Sequence, residues 1–225
     1  MLLSKKKRYL QIALNSTMDE AYQIIQNLPV SDRIIREAGT PLIKEFGAEA
    51  IRNLYDWWGD KTHPQNVFPY IVADLKTMDR GETEVRIAKN AGASAAICLG
   101  QAPTETINSF VESCEKNELD SMIDMMNIPY PNQVLRRLKH LPDVVLLHRG
   151  VDEEKFNKDK PIPYIQINKV LSVYNVLISI AGGDTIREVQ RAIFNGANIV
   201  VVWKEFYHST FNTSSLAKAF LKEIK

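Results

Sequence analysis

One short segment carries an acid, a lysine and a second acid directly after a run of apolar residues. Asp74, Lys76 and Asp79 follow residues 68–73, whose composition predicts a buried strand. In extended backbone Asp74 and Lys76 point to the same side of the strand, so the carboxylate can hold the lysine in its ammonium form. Such an ammonium group can stabilise an oxyanion that develops on a substrate.

A further carboxylate, Glu37, lies near the end of the preceding predicted strand. Ends of neighbouring parallel strands meet at one edge of a sheet, so Glu37 and Asp74 could reach one hard cation through oxygen. Mg²⁺ typically takes one or two protein carboxylates and keeps several waters, so these two ligands would suffice. An ordinary ion pair between Glu37 and a nearby Arg or Lys is the alternative, and spacing alone does not choose between them.

A histidine lies where another buried strand meets the same edge. His148 follows the apolar residues 144–147, and a histidine there can act as a general acid or base near neutral pH. The alternative is a histidine at the edge of the core that bonds a backbone carbonyl. The remaining histidines have loop or helix-end contexts and are interpreted as surface residues: His63, His140 and His208.

A glycine pair opens the loop after the seventh predicted strand. Gly182 and Gly183, followed by Asp184 and Thr185, can expose backbone N–H groups to an anion at the start of a helix. The alternative is a turn that needs glycine for its conformation alone. Other strand ends also carry polar residues without an assigned role, among them Asp124.

Eight strand–helix units position these residues. Most of the strands are continuous apolar runs, as expected when both faces are buried. Eight such units in 225 residues predict a single-domain (β/α)₈ TIM barrel over residues 1–225. An open doubly wound sheet is the alternative, but no glycine-rich turn follows the first strand. The predicted strands span residues 9–14, 33–38, 68–75, 95–99, 121–126, 144–148, 176–181 and 198–203.

The composition restricts the class of protein further. A net charge of +1 gives no electrostatic indication of a nucleic-acid partner. The longest apolar runs have the length of strands and fall well short of the roughly 20 residues of a membrane helix. The N-terminus lacks the pattern of a secretory signal. The two cysteines, Cys98 and Cys114, are too far apart for a CxxC motif and are expected to be free thiols in a cytoplasmic protein.

Residues 150–163 form the longest stretch without periodicity, with many charges and two prolines. Because the stretch follows the sixth strand, it lies at the catalytic rim of a barrel. It is interpreted as an active-site lid or, equally, as a solvated surface loop.

Two motifs taken together resemble 3-hexulose-6-phosphate synthases, which belong to the orotidine 5′-phosphate decarboxylase suprafamily. These are residues 73–79, ADLKTMD, and residues 37–44, EAGTPLIK. Three further segments resemble those of the family and occur in the same order along the chain: residues 10–14, 148–152 and 180–183. The resemblance therefore covers nearly the whole chain.

The resemblance implies a homodimeric barrel with active sites shared across the subunit interface. It implies Mg²⁺-dependent aldol addition of formaldehyde to ribulose 5-phosphate, a phosphorylated sugar, through an enediolate. Matching by motif assigns metal binding to Glu37 and Asp74 and stabilisation of the enediolate to Lys76. It also assigns Asp79 to the active site of the partner subunit.

The same resemblance assigns proton transfer to His148 and phosphate binding to Gly182 and Gly183. It also separates two related activities. The 3-keto-L-gulonate 6-phosphate decarboxylases generally carry an arginine three residues after the rim histidine, where this chain has Val151. The Thr77–Met78 pair also looks more like the synthases, so both details favour aldol chemistry.

Two residues depart from the family pattern. The first strand usually ends in aspartate, and Asn15 can bind a substrate hydroxyl there but carries no charge. The eighth strand usually ends in glycine, where Trp203 is found; Lys204 can still meet phosphate. The departures leave two alternatives to the synthase: a suprafamily enzyme acting on another phosphosugar, decarboxylases included, and a catalytically reduced paralogue that acts as a binding partner.

Overall fold

The computed structural model describes residues 1–157, 159, 161–208 and 210–224. Eight parallel strands follow one another in chain order around a closed barrel, and β8 pairs with β1 to complete it. The (β/α)₈ prediction is therefore confirmed, and the open doubly wound sheet is wrong. The strands are β1 Tyr9–Leu14, β2 Ile34–Ala38, β3 Ile71–Thr77, β4 Ala95–Leu99, β5 Asp120–Asp124, β6 Val144–His148, β7 Leu177–Ala181 and β8 Ile199–Val202.

Helices connect the strands and cover the outside of the barrel. Two of them begin with a capping box, in which Thr17 with Glu20 and Thr185 with Glu188 satisfy backbone N–H groups. The helices are α1 Met18–Asn27, α2 Thr40–Phe46, α3 Ala48–Thr62, α4 Gly81–Asn90, α5 Thr104–Lys116, α6 Pro131–Leu135, α7 Val151–Phe156, α8 Tyr164–Leu171, α9 Ile186–Phe194, α10 Lys204–His208 and α11 Thr213–Glu223. Single 3₁₀ turns occupy His63–Gln65 and Thr210–Asn212.

Some element boundaries differ from those predicted. The single helix expected over residues 41–58 is divided into α2 and α3, because Gly47 has φ 63° and ψ −150°, a conformation that interrupts a helix. Part of the non-periodic stretch 150–163 is helical, since α7 begins directly after Gly150. Two residues of that stretch, Lys158 and Lys160, lie outside the described residues.

The third strand begins later and continues further than expected. Phe68 was predicted to begin it, but its side chain is 77% exposed and the strand starts at Ile71. At the other end β3 continues to Thr77, with an irregularity in its pairing with β4 between Ala73 and Thr77. This irregular segment contains the Asp74–Lys76 pair.

Alternate residues of each strand face two different cores. In β1, Leu10, Ile12 and Leu14 pack against the surrounding helices, whereas Tyr9 and Ala13 belong to the cluster inside the barrel. Both faces are buried, which explains why the strands read as continuous apolar runs.

Both cysteines are free, as expected, and both are buried. Within the described ranges, no helix is long and apolar enough to cross a membrane.

Candidate active site

Four side chains from three strands form a charged cluster at the carboxyl end of the barrel. The Nζ of Lys76 lies 3.0 Å from Oδ2 of Asp74 and 3.1 Å from Oδ2 of Asp124. The same Asp124 oxygen lies 2.9 Å from Nδ1 of His148. Asp124 therefore connects two groups that were predicted separately from the sequence, the lysine near the end of β3 and the histidine at the end of β6.

The backbone at Lys76 has an unusual conformation. Its φ is 46°, in the left-handed region that residues other than glycine and asparagine rarely adopt. Such a conformation costs about 1–3 kcal/mol and persists only where the surroundings hold it. The two carboxylates on the ammonium group and the shifted register of β3 provide that support. With this irregular strand end, the ammonium group of Lys76 lies between Asp74 and Asp124.

Asp124 is fully buried and remains charged. Burial alone would raise its pKa, but the positive charges and hydrogen bonds of His148 and Lys76 outweigh burial and lower the pKa to about 2. Its other oxygen, Oδ1, accepts the backbone N–H of Met126 at 2.8 Å. Both oxygens are thus satisfied, and the carboxylate acts as a fixed anion beneath the lysine and the histidine.

The two basic groups respond to this anion. Burial lowers the pKa of Lys76, but Asp74 and Asp124 outweigh burial and the pKa is raised overall, which keeps the side chain an ammonium. Burial also lowers the pKa of His148, and Asp124 again outweighs it, so that pKa is raised as well. Because Nδ1 of His148 faces Asp124, Nε2 is the nitrogen left for substrate chemistry.

A pair of buried carboxylates lies beside the cluster. Glu37 and Asp74 come from adjacent strands, which pair at Ala38 and Ala73. Burial and, after it, the charge of Asp74 raise the pKa of Glu37 to about 7, although the hydrogen bond that the amide of Gln11 donates to Glu37 opposes this rise. The hydroxyl of Thr40 donates to Asp74 at 2.7 Å.

These residues fit a hard divalent cation. The donors are carboxylate oxygens, and Glu37 and Asp74 repel each other in a buried space that a cation would neutralise. In the described part of the chain, no group of three or more His, Cys, Asp or Glu side chains is arranged to hold a metal. That finding is compatible with Mg²⁺, which needs only two carboxylates when waters or substrate oxygens complete its shell.

The glycine pair lies at the opposite side of the barrel mouth. Gly182 has φ 100°, and a Cβ there would lie 2.5 Å from the carbonyl oxygen of Arg149. A side chain at Gly183 would meet Ile162 at 2.8 Å. Position 182 therefore requires glycine because of its backbone conformation and the lack of space for a side chain. This requirement agrees with the interpretation of a turn that needs glycine, and it is independent of anion binding.

The loop after β8 contacts the loop after β7 through an aspartate. Oδ1 of Asp184 accepts the backbone N–H of Trp203 at 2.8 Å and that of Lys204 at 3.3 Å. The Nζ of Lys204 lies 3.7 Å from Oδ2 of Asp184 and also forms an ion pair with Glu154 of α7. The ring of Trp203 packs edge-on against Tyr207, with centroids 6.3 Å apart. Lys204, which was expected to meet phosphate, is thus paired with two acids of the chain itself, and Asp184 also holds the neighbouring backbone N–H groups.

Besides the residues of the loops after β7 and β8, two further predicted site residues do not join the cluster. Asn15 packs against Gly39, where a Cβ would lie 1.7 Å from its Oδ1, and its backbone N–H donates to the hydroxyl of Tyr207 at 2.9 Å. Asp79 lies on the exposed turn between β3 and α4. Across the described residues of this one chain, no hydrogen bond or ion pair joins either of them to Lys76.

The structure adds residues to which the sequence analysis gave no role. Asp124 was noted only as a polar strand end, although it contacts both Lys76 and His148. Gln11 binds Glu37, and the available signal was a polar residue within an otherwise apolar strand. Thr40 binds Asp74 from the first turn of α2, and its only signal in the sequence was its place in the motif of residues 37–44.

The fold is a closed parallel barrel, and the carboxyl ends of its strands carry a cluster of acids, a lysine and a histidine. These are the features of the class of barrel enzymes whose active site lies at the barrel mouth. Residues 8–210 match the model of the Orotidine 5'-phosphate decarboxylase / HUMPS family. The match covers most of the chain, and the chain belongs to this family.

Individual relatives agree with that membership. The chain is 42% identical over 186 residues to the bifunctional enzyme Fae/Hps of Methanocaldococcus jannaschii, covering 82% of this chain and 44% of that protein. It is 35% identical over 219 residues to the Fae/Hps of Methanocella arvoryzae, covering 96% of this chain and 53% of that protein. The chain therefore spans about half the length of these relatives.

A solved structure shows the same fold over nearly the full length of both chains. The crystal structure of 3-hexulose-6-phosphate synthase from Salmonella typhimurium superposes with a TM-score of 0.82 at 25% identity. The alignment covers 96% of this chain and 98% of that one. The similarity thus includes all eight units of the barrel.

Proposed function

We propose that the chain is an aldehyde-lyase of the 3-hexulose-6-phosphate synthase type, which joins formaldehyde to ribulose 5-phosphate and also reverses that reaction. The observation that carries the proposal is the cluster of Asp74, Lys76, Asp124 and His148 at the mouth of the barrel. The similarity to Fae/Hps proteins and to the Salmonella typhimurium synthase supports it.

In the proposed reaction, proton transfer begins at the substrate carbon next to the carbonyl. Nε2 of His148 takes the proton from C1 of ribulose 5-phosphate, and the electron pair of that C–H bond forms the enediolate. Lys76, held as an ammonium by Asp74 and Asp124, lies where it can stabilise the negative oxygen. C1 then attacks the formaldehyde carbon, and the electron pair of the formaldehyde double bond moves to its oxygen. That oxygen takes back the proton held on Nε2 of His148, which gives the hexulose 6-phosphate and restores the neutral histidine.

The cofactor in this proposal is Mg²⁺, held by Glu37 and Asp74. When bound there, Mg²⁺ supplies electrostatic stabilisation of the charge that develops on the substrate oxygens. Gln11 and Thr40 orient the two carboxylates by hydrogen bonds, and Thr40 also keeps Asp74 in place beside Lys76. Gln11 donates to Oε2 of Glu37, so Oε1 is the oxygen that would face the cation, whereas Oδ1 of Asp74 would bind it beside the ammonium group of Lys76, 3.3 Å away.

The proposal includes a homodimer with shared active sites. Asp79 and the neighbouring Met78 are exposed on the turn after β3, next to the cluster in sequence but without a contact to it in the described part of the chain. A second copy is the partner in which Asp79 would complete a site. The buried free thiols support a reducing, cytoplasmic location.

A formaldehyde assay tests the proposal. The purified chain is incubated with Mg²⁺, ribulose 5-phosphate and formaldehyde, and both the loss of formaldehyde and its release from the product are followed. Lys76→Met should abolish turnover, because methionine keeps the length of the side chain without its charge. Lys116→Met removes a 70% exposed lysine on α5 and should leave turnover intact. Absence of formaldehyde-dependent turnover by the unmodified chain would contradict the proposal.

One observation favours a second candidate, the same type of enzyme acting on another phosphosugar. Trp203 and Asp184 lie together where the loops after β7 and β8 meet, and a bulky ring and a carboxylate there favour a substrate of different shape or charge. Decarboxylation of 3-keto-L-gulonate 6-phosphate, measured as CO₂ release in parallel with the formaldehyde assay, separates the two candidates.

A further inference from the structure

The side chain of Asp184 lies between the two loops that form the distal end of the barrel mouth. It is about nine-tenths buried, although it comes from a loop rather than from a strand. One oxygen accepts two consecutive backbone N–H groups, those of Trp203 and Lys204, and the other lies 3.7 Å from the ammonium group of Lys204.

This set of contacts is the environment that an anion takes up in a protein. Adjacent backbone N–H groups that converge on one oxygen, with an ammonium group beside them, bind phosphate as readily as carboxylate. Trp203 and Lys204 directly follow β8, and the loops after the seventh and eighth strands are where barrels of this type frequently hold phosphate. Asp184 thus lies in the position of a bound anion.

We propose that Asp184 is an internal competitor for the phosphate position and that it sets the affinity of the chain for the phosphorylated end of its substrate. A phosphate group reaches the two N–H groups only when the carboxylate of Asp184 moves away from them. The identity of the substrate in this inference rests on the proposed function. The presence of the competing carboxylate does not depend on it.

The neighbouring charges strengthen the competition. Lys204 forms ion pairs with Asp184 and with Glu154 of α7, so two carboxylates already share one ammonium group. Arg149 donates to the carbonyl of Gly182 at 2.7 Å and lies 3.8 Å from Glu154. The positive charges nearest the distal end are therefore engaged by groups of the chain. A phosphate dianion must compete with these carboxylates for the same positive charges. It is also repelled by the carboxylates when it comes close to them.

Removal of the competing carboxylate tests the inference. In Asp184→Ala the two N–H groups lose their internal acceptor, and in Asp184→Asn a neutral acceptor of the same shape replaces a charged one. We measure the dissociation constants of inorganic phosphate and of ribulose 5-phosphate by calorimetry with each purified variant. Both constants should fall, by about tenfold in Asp184→Ala and by less in Asp184→Asn, since hydrogen bonds to a charged group are stronger than those to a neutral one.

The control removes a negative charge without changing the distal contacts. Asp152 is exposed on α7, two residues from Glu154, and Asp152→Asn should leave both dissociation constants within twofold of those of the unmodified chain. Unphosphorylated ribulose serves as the control ligand, and its affinity should be the same in all variants. For a chain that turns over, the gain should appear in KM for ribulose 5-phosphate rather than in kcat.

The outcomes separate this inference from the proposed function. Tighter phosphate binding by the Asp184 variants upholds the inference even if no formaldehyde is consumed, in which case the proposed function alone fails. Unchanged or weaker phosphate binding overturns the inference, including in a chain that consumes formaldehyde. If Asp184→Ala does not fold, as judged by thermal unfolding, Asp184→Asn decides the question by the same criterion.

Discussion

The replacement of Asp124 by asparagine should change stability and catalysis together. One oxygen of Asp124 lies 3.1 Å from Lys76 and 2.9 Å from His148, and the side chain is fully buried. Asparagine keeps the shape and one acceptor but has no charge. The variant therefore leaves two basic groups in the barrel mouth without the anion that they share.

The size of the stability loss follows from the pKa of Asp124. Its pKa is lowered from 3.8 to about 2, which corresponds to roughly 2 kcal/mol of stabilisation at neutral pH. Because the folded-state pKa is the lower one, this contribution is present above pH 3.8 and is lost as the pH falls toward 2. For a domain of this size, about 2 kcal/mol corresponds to a decrease in Tm of roughly 4–8 °C.

The catalytic effect has a definite direction. Asp124 raises the pKa of His148 against burial, and without Asp124 burial and the charge of Lys76 lower it. The limb of the pH–rate profile that reports His148 should therefore move to lower pH. Urea unfolding at pH 7 and pH 3, together with kcat/KM across the pH range, measures both effects.

A matched control lies on the same strand. Asp120 begins β5 as Asp124 ends it, is equally buried, and binds the backbone of Leu2 and Leu3 and the hydroxyl of Tyr70 at the opposite end of the barrel. Asp120→Asn should also reduce stability but leave the pH–rate profile in place. An unmoved limb in Asp124→Asn, or a free energy of unfolding at pH 7 equal to that of the unmodified chain, would refute the reasoning.

Four further predictions concern the remaining site residues. Chelation by EDTA should abolish activity, and Glu37→Gln should remove the thermal stabilisation that Mg²⁺ provides; full activity after chelation would rule out the metal. Mixing inactive Asp79→Ala and Lys76→Ala chains should restore part of the activity, because a heterodimer holds one intact site; no recovery despite proven subunit exchange would count against shared sites. His148→Ala should slow proton exchange at the substrate carbon by about 10²–10⁴-fold, and an unchanged exchange rate would assign the proton to another group. Asn15→Asp should not raise formaldehyde-dependent turnover, and a large rise in the single-variant assay would show that the amide limits the synthase reaction.

Much of the fold could be predicted because its determinants are local. Continuous apolar runs marked the eight strands, and the order of strands and helices specified the barrel. The start of β3 could not be read in this way, since Phe68 has the side chain of a strand residue but lies exposed before Pro69. The break between α2 and α3 depends on the backbone of Gly47, a residue that helices also tolerate.

The site was predictable where a strand end identified it. Asp74 and Lys76 lie on one segment, so their contact depends on local backbone geometry, and it was expected. The role of Asp124 depends on distances from Lys76 and His148 that only the closed barrel establishes, 48 and 24 residues away along the chain. The position of Asp184 depends in the same way on backbone N–H groups at the end of another strand.

Lys76 and His148 share the carboxylate of Asp124. The cost of replacing one of these residues therefore depends on whether another has already been replaced. Loss of Asp124 alone leaves the ammonium group of Lys76 without one of its two carboxylates, whereas loss of Asp124 together with Lys76 removes one charge of each sign. The double replacement should therefore cost less than the sum of the single ones, by about 0.5–3 kcal/mol. When substitutions accumulate in the cluster one after another, the first of them should therefore lower stability the most. A descendant released from selection for activity should keep these residues longer than the exposed Asp79, whose loss disturbs no buried charge.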